Sequence, residues 1–223
     1  LFKVFSENFR RILFFIIPIS IGTLLLRAQI VRLVYGASAF DWHDTVVTAQ
    51  TLGMFALSMF AQATIPLLSR SFFAKQDTIR PLIVSIACMF FNIIAGIVLM
   101  RPFGIIGLAL AYSLSSIVQM VMLFVLLRMR HGDLDDDHII ASVWKIIAAA
   151  LGMGLVVQGM KYFIVDFVNM QTFVGVFLQT VSAGIGGALV YIIIAYWFQF
   201  SEAVAIAKRA RLMVNVLRNA LRL

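Results

Sequence analysis

Long apolar runs alternate with short polar connections along the whole chain. Six runs reach the roughly 20 residues that a helix needs to cross a hydrocarbon layer about 30 Å thick: Ile12–Val34, Thr45–Leu68, Pro81–Met100, Ile105–Leu127, Ser142–Val165 and Thr172–Phe198. The runs are continuous rather than alternating, which excludes barrel strands, where every second residue faces a polar lumen. The first run is too long for a cleavable leader and no small-residue cleavage site follows it. The pattern predicts an all-α fold, a polytopic transmembrane helical bundle with six spans.

Composition agrees. The 223 residues are 62% hydrophobic and 13% charged, against about 45–50% and about 25% in soluble domains. The single cysteine, Cys88, excludes an intrachain disulfide framework and a cysteine-based zinc site; inside an apolar run it reads as a small buried hydrophobe. The net charge of +8 could suggest nucleic acid, but the cations sit in clusters between spans, as in proteins facing anionic lipid. Membrane lipids, and no nucleic acid, are the expected partners.

The distribution of those cations sets an expected orientation. Lys3, Arg10 and Arg11 precede the first run, Arg70, Lys75 and Arg80 fill the second connection, and Arg128 and Arg130 the fourth. The alternate connections carry only Arg101 between them. With six spans, the positive-inside rule places both ends of the segment in the cytoplasm. Three parts are expected: residues 1–130 with four helices, 131–200 with a final pair, and 201–223 as a basic amphipathic helix. In that tail Lys208, Arg209, Arg211, Arg218 and Arg222 cluster on a helix that would lie on an anionic leaflet.

The polar connections carry little chemistry of their own. In the second, Asp77 or Thr78 can cap the next helix and Pro81 suits a first helical position. The Asp133–Asp137 run lacks the glycine and distant glutamate of a calcium loop and reads as a solvated helix start. In the first connection Phe40 and Trp42 read as interfacial aromatics and Asp44 as a cap. No nucleotide-cradling loop, His-rich metal set or activated nucleophile is present. An enzyme is not expected, nor a cofactor or metal.

The second connection nevertheless has a specific wording, S-F-F-A-K-Q-D-T-I-R-P over Ser71–Pro81. It resembles the F-Y-A-x-x-D-T-x-T-P signature of the MurJ (MviN) family of lipid II flippases, with Arg80 where a threonine is more usual. Ile17–Phe40 is similar to that family's Pro- and Gly-containing helix and following loop, and Pro102–Ser115 to its G-x-x-G-l-A-l-A helix. The resemblance implies the last six of fourteen helices in a two-lobe exporter fold, the first lobe being a missing partner in the same protein. It also implies a multi-pass protein of the bacterial cytoplasmic membrane that moves lipid II, or a similar undecaprenyl-diphosphate-linked glycan, by alternating access. Exporters of other lipid-linked glycans or drugs, and a non-transporting scaffold, are the alternatives.

On that expectation, Arg27, Arg32 and Asn92 are the candidate substrate-binding residues. Arginine offers a permanent charge and a planar fork of donors suited to a diphosphate. The other reading has Arg27 and Arg32 snorkelling to the outer interface, and Asn92 acting as interhelical glue. Gly96, four residues after Asn92, supplies no carboxylate for the cation site of some family members. Small residues from Gly104 to Ser115 and from Ser182 to Ala188 are expected to allow close helix packing, and the resemblance makes the last two helices a groove for a lipid tail.

Overall fold

The structure, a computed structural model, describes residues 2–35, 41–131, 136–165, 172–198 and 200. They form seven helices: α1 (Phe2–Tyr35), α2 (Trp42–Ala56), α3 (Met59–Phe73), α4 (Ile79–Phe103), α5 (Ile105–His131), α6 (Asp136–Val165) and α7 (Phe173–Trp197). By length and hydropathy six segments can cross a membrane, α2 and α3 together making the second, Trp42–Phe73. These match the six apolar runs. The expected tail cations Lys208, Arg209, Arg211, Arg218 and Arg222 lie outside the described residues, as do Phe40 of the first connection and residues 133–135 of the acidic run.

Two ends of the bundle differ in charge. The end bearing the α3–α4 turn also carries Arg10, Arg11, Arg70, Lys75, Arg80, Arg128 and Arg130. The opposite end, where α1 and α6 finish and α4 turns into α5, has Arg32, Arg101 and Lys161 near its rim.

Helix α1 is the hub, packing against α2, α3, α6 and α7. It starts ten residues before the expected span. The basic lead-in is helical because Phe5, Ser6 and Phe9 are buried there, the Phe9 ring 5.8 Å from that of Phe124 on α5. Pro18 sits inside α1 and cannot donate to the carbonyl of Phe14 one turn earlier. The Tyr191 hydroxyl of α7 donates to that carbonyl instead, at 2.7 Å. The cost of an intramembrane proline is thereby met by a neighbouring helix.

The second span is broken at Leu57–Ser58, where the apolar run shows no interruption. Carbonyls released there need donors, since lipid offers none. Serines on two neighbouring helices supply them, while Phe55 already accepts the Ser58 backbone N–H at 3.1 Å. Ser20 of α1 donates to Ala56, in a short contact; Ser113 of α5 donates to Met54 at 2.7 Å; and Ser58 donates to Phe55 at 3.1 Å. The Ser58 and Ser113 hydroxyls also meet at 3.1 Å.

The Ser71–Pro81 wording resolves into a defined turn. The first three residues finish α3, with Phe72 fully buried. Gln76 takes φ 58°, its N–H bonds back to the Phe73 carbonyl at 2.9 Å, and that of Asp77 to Phe72 at 3.1 Å. This is a Schellman ending with glutamine at the position glycine usually holds. Asp77 then pairs with Arg80 at 3.3 Å and, more closely, with Arg130 at the end of α5. Of the two expected caps, Asp77 accepts a weak 3.4 Å contact from Arg80 N–H and Thr78 makes no side-chain cap bond. One expectation is corrected: Pro81 is the third helical residue, not the first. At α2 the cap is Asp41, accepting from Trp42 N–H at 2.6 Å, rather than Asp44.

Between α4 and α5 the chain reverses at Gly104, with φ +57°. Three residues later a Cβ on Gly107 would fall 2.1 Å from the carbonyl oxygen of Leu99. Helices α6 and α7 pack on each other and on α1, and scarcely on α2–α5.

Candidate functional site

Two cavities on the α3–α5 side carry neutral polar groups in mainly apolar walls. One, of about 610 Å³, lies between Gln62 on α3, Ser85 and Asn92 on α4, and Tyr112, Ser116 and Gln119 on α5. The second, of about 870 Å³, shares Gln62, Asn92 and Tyr112 and reaches Thr23 of α1 and Thr51 of α2. Neither is lined by a charged side chain among the described residues. Interhelical bonds that hold this region come from serines and glutamine. Ser115 donates to the Cys88 carbonyl at 2.8 Å, and Gln119 to Ser85 at 3.1 Å. Asn92 bonds to no described residue and opens into both cavities. It is therefore a cavity residue, and the glue expected of it is supplied by its neighbours.

On the opposite side of α1, an apolar groove of about 580 Å³ runs between α1, α6 and α7, with Phe14, Leu26, Ile30, Val157, Gly184 and Ile192 in its walls. Small residues of α7 act in two ways. Gly186 and Gly187 admit Met160 and Val157 of α6 so closely that a Cβ would overlap them, while Gly184 touches nothing and leaves the groove open. A further apolar groove of about 490 Å³ separates α5 from α6, floored by α1.

A polar cluster closes the far end of the first groove. Lys161 stands one helical turn beyond Val157 and donates to the Leu25 carbonyl at 2.9 Å. Gln179 of α7 donates to the Lys161 carbonyl at 3.0 Å and accepts from Gln29 of α1 at 3.3 Å. The Gln29 carbonyl oxygen is buried without a partner. Arg27, half-buried, lies over Gly53 of α2, where a Cβ would fall 2.5 Å from its Nη1. A charged side chain inside a span costs about 2.5–3.5 kcal/mol on the most lenient scale, and the cost falls on Arg27, eight residues before the end of α1, more than on Lys161, four before the end of α6. Arg32, in the last turn of α1, lies about 7.5 Å further along the helix than Arg27 at 1.5 Å rise per residue, nearer the rim.

This network has a measurable signature. Gln179→Leu breaks two interhelical bonds and strands the Gln29 amide, whereas Gln29→Leu breaks one and exchanges one unpaired acceptor for another, the Gln179 side-chain oxygen. Interhelical bonds in membranes average about 0.6 and reach about 1.7 kcal/mol. The expected loss is thus about 1–3 kcal/mol for the first and about half that for the second, read as midpoints of thermal unfolding in detergent. Equal losses would contradict the bonding scheme.

Residues 3–182 match the family model described as "Lipid II flippase MurJ", a stretch that takes in α1 to α6, Arg27, Asn92, Lys161 and Gln179. The chain belongs to the MurJ family. It is 31% identical over 157 residues to a probable lipid II flippase MurJ of Thermotoga maritima, covering 69% of this chain and 32% of that protein. It is also 31% identical over 118 residues to the lipid II flippase MurJ of Thermosipho africanus, covering 53% and 25%. Among solved structures, a lipid II flippase MurJ in an inward closed conformation superposes with TM-score 0.70 at 28% identity, covering 87% of this chain and 38% of that one. The chain thus spans about a third or less of the length of the curated MurJ relatives it matches.

Of the three candidates for substrate contact in this MurJ chain, Asn92 opens to the cavities around α4, Arg27 lies over Gly53 of α2, and Arg32 lies near the rim. They do not converge on one pocket. Reading the sequence alone missed Lys161, Gln29 and Gln179. Lys161 was open to the criterion that singled out Arg27, an ionisable residue inside an apolar run, but it stands near the end of its run, where it passes for a flanking cation. The glutamines carry no charge and gave no signal.

Proposed function

We propose that the chain is part of a lipid II flippase in the bacterial cytoplasmic membrane, with its basic end on the cytoplasmic side. The family assignment supports the activity, and the concentration of cations at one end supports the orientation. The observation that carries the reading is a pair of uncharged cavities around Asn92 inside a membrane bundle, their mainly apolar walls carrying a few amides and hydroxyls. A headgroup of sugars and amides needs such a lining to cross an apolar layer. The apolar groove between α1, α6 and α7 suits hydrocarbon remaining in the membrane plane. Movement of two lobes about a midplane site then exposes the cavity to each side in turn, without chemistry on the cargo and with lipid II as its partner. Within this reading Asn92 meets the neutral headgroup, and Arg27 and Arg32 meet phosphate on the outer side.

The test replaces a cell's own flippase with the protein carrying this chain and follows lipid II by its accessibility on the outer leaflet. Arg27→Ala is expected to lower flipping about tenfold, the loss of one charge-assisted contact of about 1.5–3 kcal/mol. Unchanged flipping would remove Arg27 from the cargo path. Normal lipid II distribution in cells lacking the protein, with another glycan missing, would redirect the assignment to a related lipid-linked glycan.

A further inference from the structure

The sequence that follows Phe200 lies beyond residues 3–182, the stretch that matches the family model, and the transport reading gives it no role. It carries five cations, Lys208, Arg209, Arg211, Arg218 and Arg222, against one acid, Glu202. At 3.6 residues per turn, Lys208, Arg211, Arg218 and Arg222 share one stripe, with Arg209 off it. Ile206, Ala210, Met213, Leu217 and Leu221 share another face. A broad apolar face beside a basic stripe suits a helix half-sunk in a bilayer surface.

The structure shows where that segment starts. Helix α7 ends at Trp197 and the chain folds back: the Phe198 N–H bonds to the Ile194 carbonyl at 2.9 Å and the Phe200 N–H to that of Ala195 at 3.2 Å. Phe200 is buried, its ring 5.8 Å from that of Phe14 on α1 and 6.3 Å from that of Phe198. Phe14 comes three residues after Arg11, about 5 Å deeper along α1, so the chain leaves the bundle just below its basic rim. An interfacial helix lies at that depth, about 5–10 Å into the boundary between headgroups and acyl chains. Tyr196 and Trp197, exposed beside the exit, are aromatics of the kind that sit at this level.

Charge selects the seat. The bundle's own end carries Arg10, Arg11, Arg70, Lys75, Arg80, Arg128 and Arg130 and repels a cationic helix. The acidic run Asp133–Asp137 is a short stretch, whereas the tail's cations spread over 208–222, about 21 Å of helix. A surface of anionic headgroups matches that length, and each basic residue near one raises partition roughly fivefold. We propose that residues 201–223 form an interfacial helix seated on anionic phospholipid at the basic end of the bundle, with Phe200 as the fixed point where it leaves the protein. The seat does not depend on what the protein transports.

The test follows amide hydrogen exchange by mass spectrometry in the full protein carrying this chain, held in nanodiscs of phosphatidylcholine with or without phosphatidylglycerol. Tail amides are expected to exchange at least tenfold more slowly when phosphatidylglycerol is present, and to lose that difference in molar salt. R211Q/R218Q/R222Q keeps the apolar face and is expected to lose the difference too, with exchange in α7 unchanged as evidence that the bundle is folded. F200A keeps the cations and is expected to retain the lipid dependence while exchange at the end of α7 rises at least threefold. Equal protection in both lipids would seat the tail on protein, whether the acidic run or a partner, and overturns the proposal. So does an absence of protection in either lipid, or full lipid dependence in R211Q/R218Q/R222Q. Unchanged exchange at the end of α7 in F200A overturns the part given to Phe200.

Discussion

Gly107→Ala is expected to prevent the α4–α5 hairpin from closing, with a loss above about 4 kcal/mol and little or no monodisperse protein recovered. A Cβ there would fall 2.1 Å from the Leu99 oxygen, 2.5 Å from its carbonyl carbon and 3.1 Å from the Met100 nitrogen. All three are backbone atoms, so no side chain can yield; one helix must move away along its length, and close packing of small residues is a main source of helix association in lipid. Gly104→Ala should be milder. A Cβ there meets nothing, so the penalty is the positive φ alone, about 1–3 kcal/mol. Gly159, exposed on α6 with open space around it, is the control: alanine there should be neutral or stabilising by up to about 1 kcal/mol through helix propensity. If Gly107→Ala melts within 2 °C of wild type, a shift of about 1 kcal/mol or less for a chain this size, the close approach is wrong.

The second large effect is at the break in the second span. Ser113→Ala should lower stability by about 2–3 kcal/mol, because it leaves the Met54 carbonyl without a donor and removes a partner from Ser58, which is fully buried. Ser116 is nearly as buried, yet its hydroxyl bonds only to the Tyr112 carbonyl of its own helix. Ser116→Ala should therefore change stability by no more than about 0.5 kcal/mol. Thermal unfolding of the two variants, measured side by side, separates a serine that completes another helix's backbone from one that satisfies itself.

These examples mark what the sequence could and could not disclose. The spans were legible because a run of twenty apolar residues has few alternatives. The Gly104–Gly107 reversal was legible because small residues and a preceding proline punctuate it. The break at Leu57–Ser58 was not. Its flanking residues are ordinary, and the donors that make it tolerable, Ser20 and Ser113, come from helices 36 and 59 residues away. Asn92 was legible as an isolated amide, but whether an amide ties helices together or faces a cavity depends on neighbours that only the fold supplies. The cluster at the groove's end assembles from Gln29, Lys161 and Gln179 on three helices, so each residue read alone had a duller explanation. The signature around Asp77 turned out to describe a helix ending and a tie to Arg130, far from either cavity.

The bond between Tyr191 and Phe14 joins residues 177 positions apart, which has a consequence for biogenesis. A chain made from its N-terminus inserts α1 with a proline-released carbonyl long before its donor exists. Until α7 leaves the ribosome and enters the bilayer, that face of the hub has only lipid or transient helpers beside it. Closure of the bundle is therefore a late event, and a chain stopped short of Tyr191 leaves an orphan acceptor in hydrocarbon, a feature by which quality control can tell an unfinished protein from a finished one.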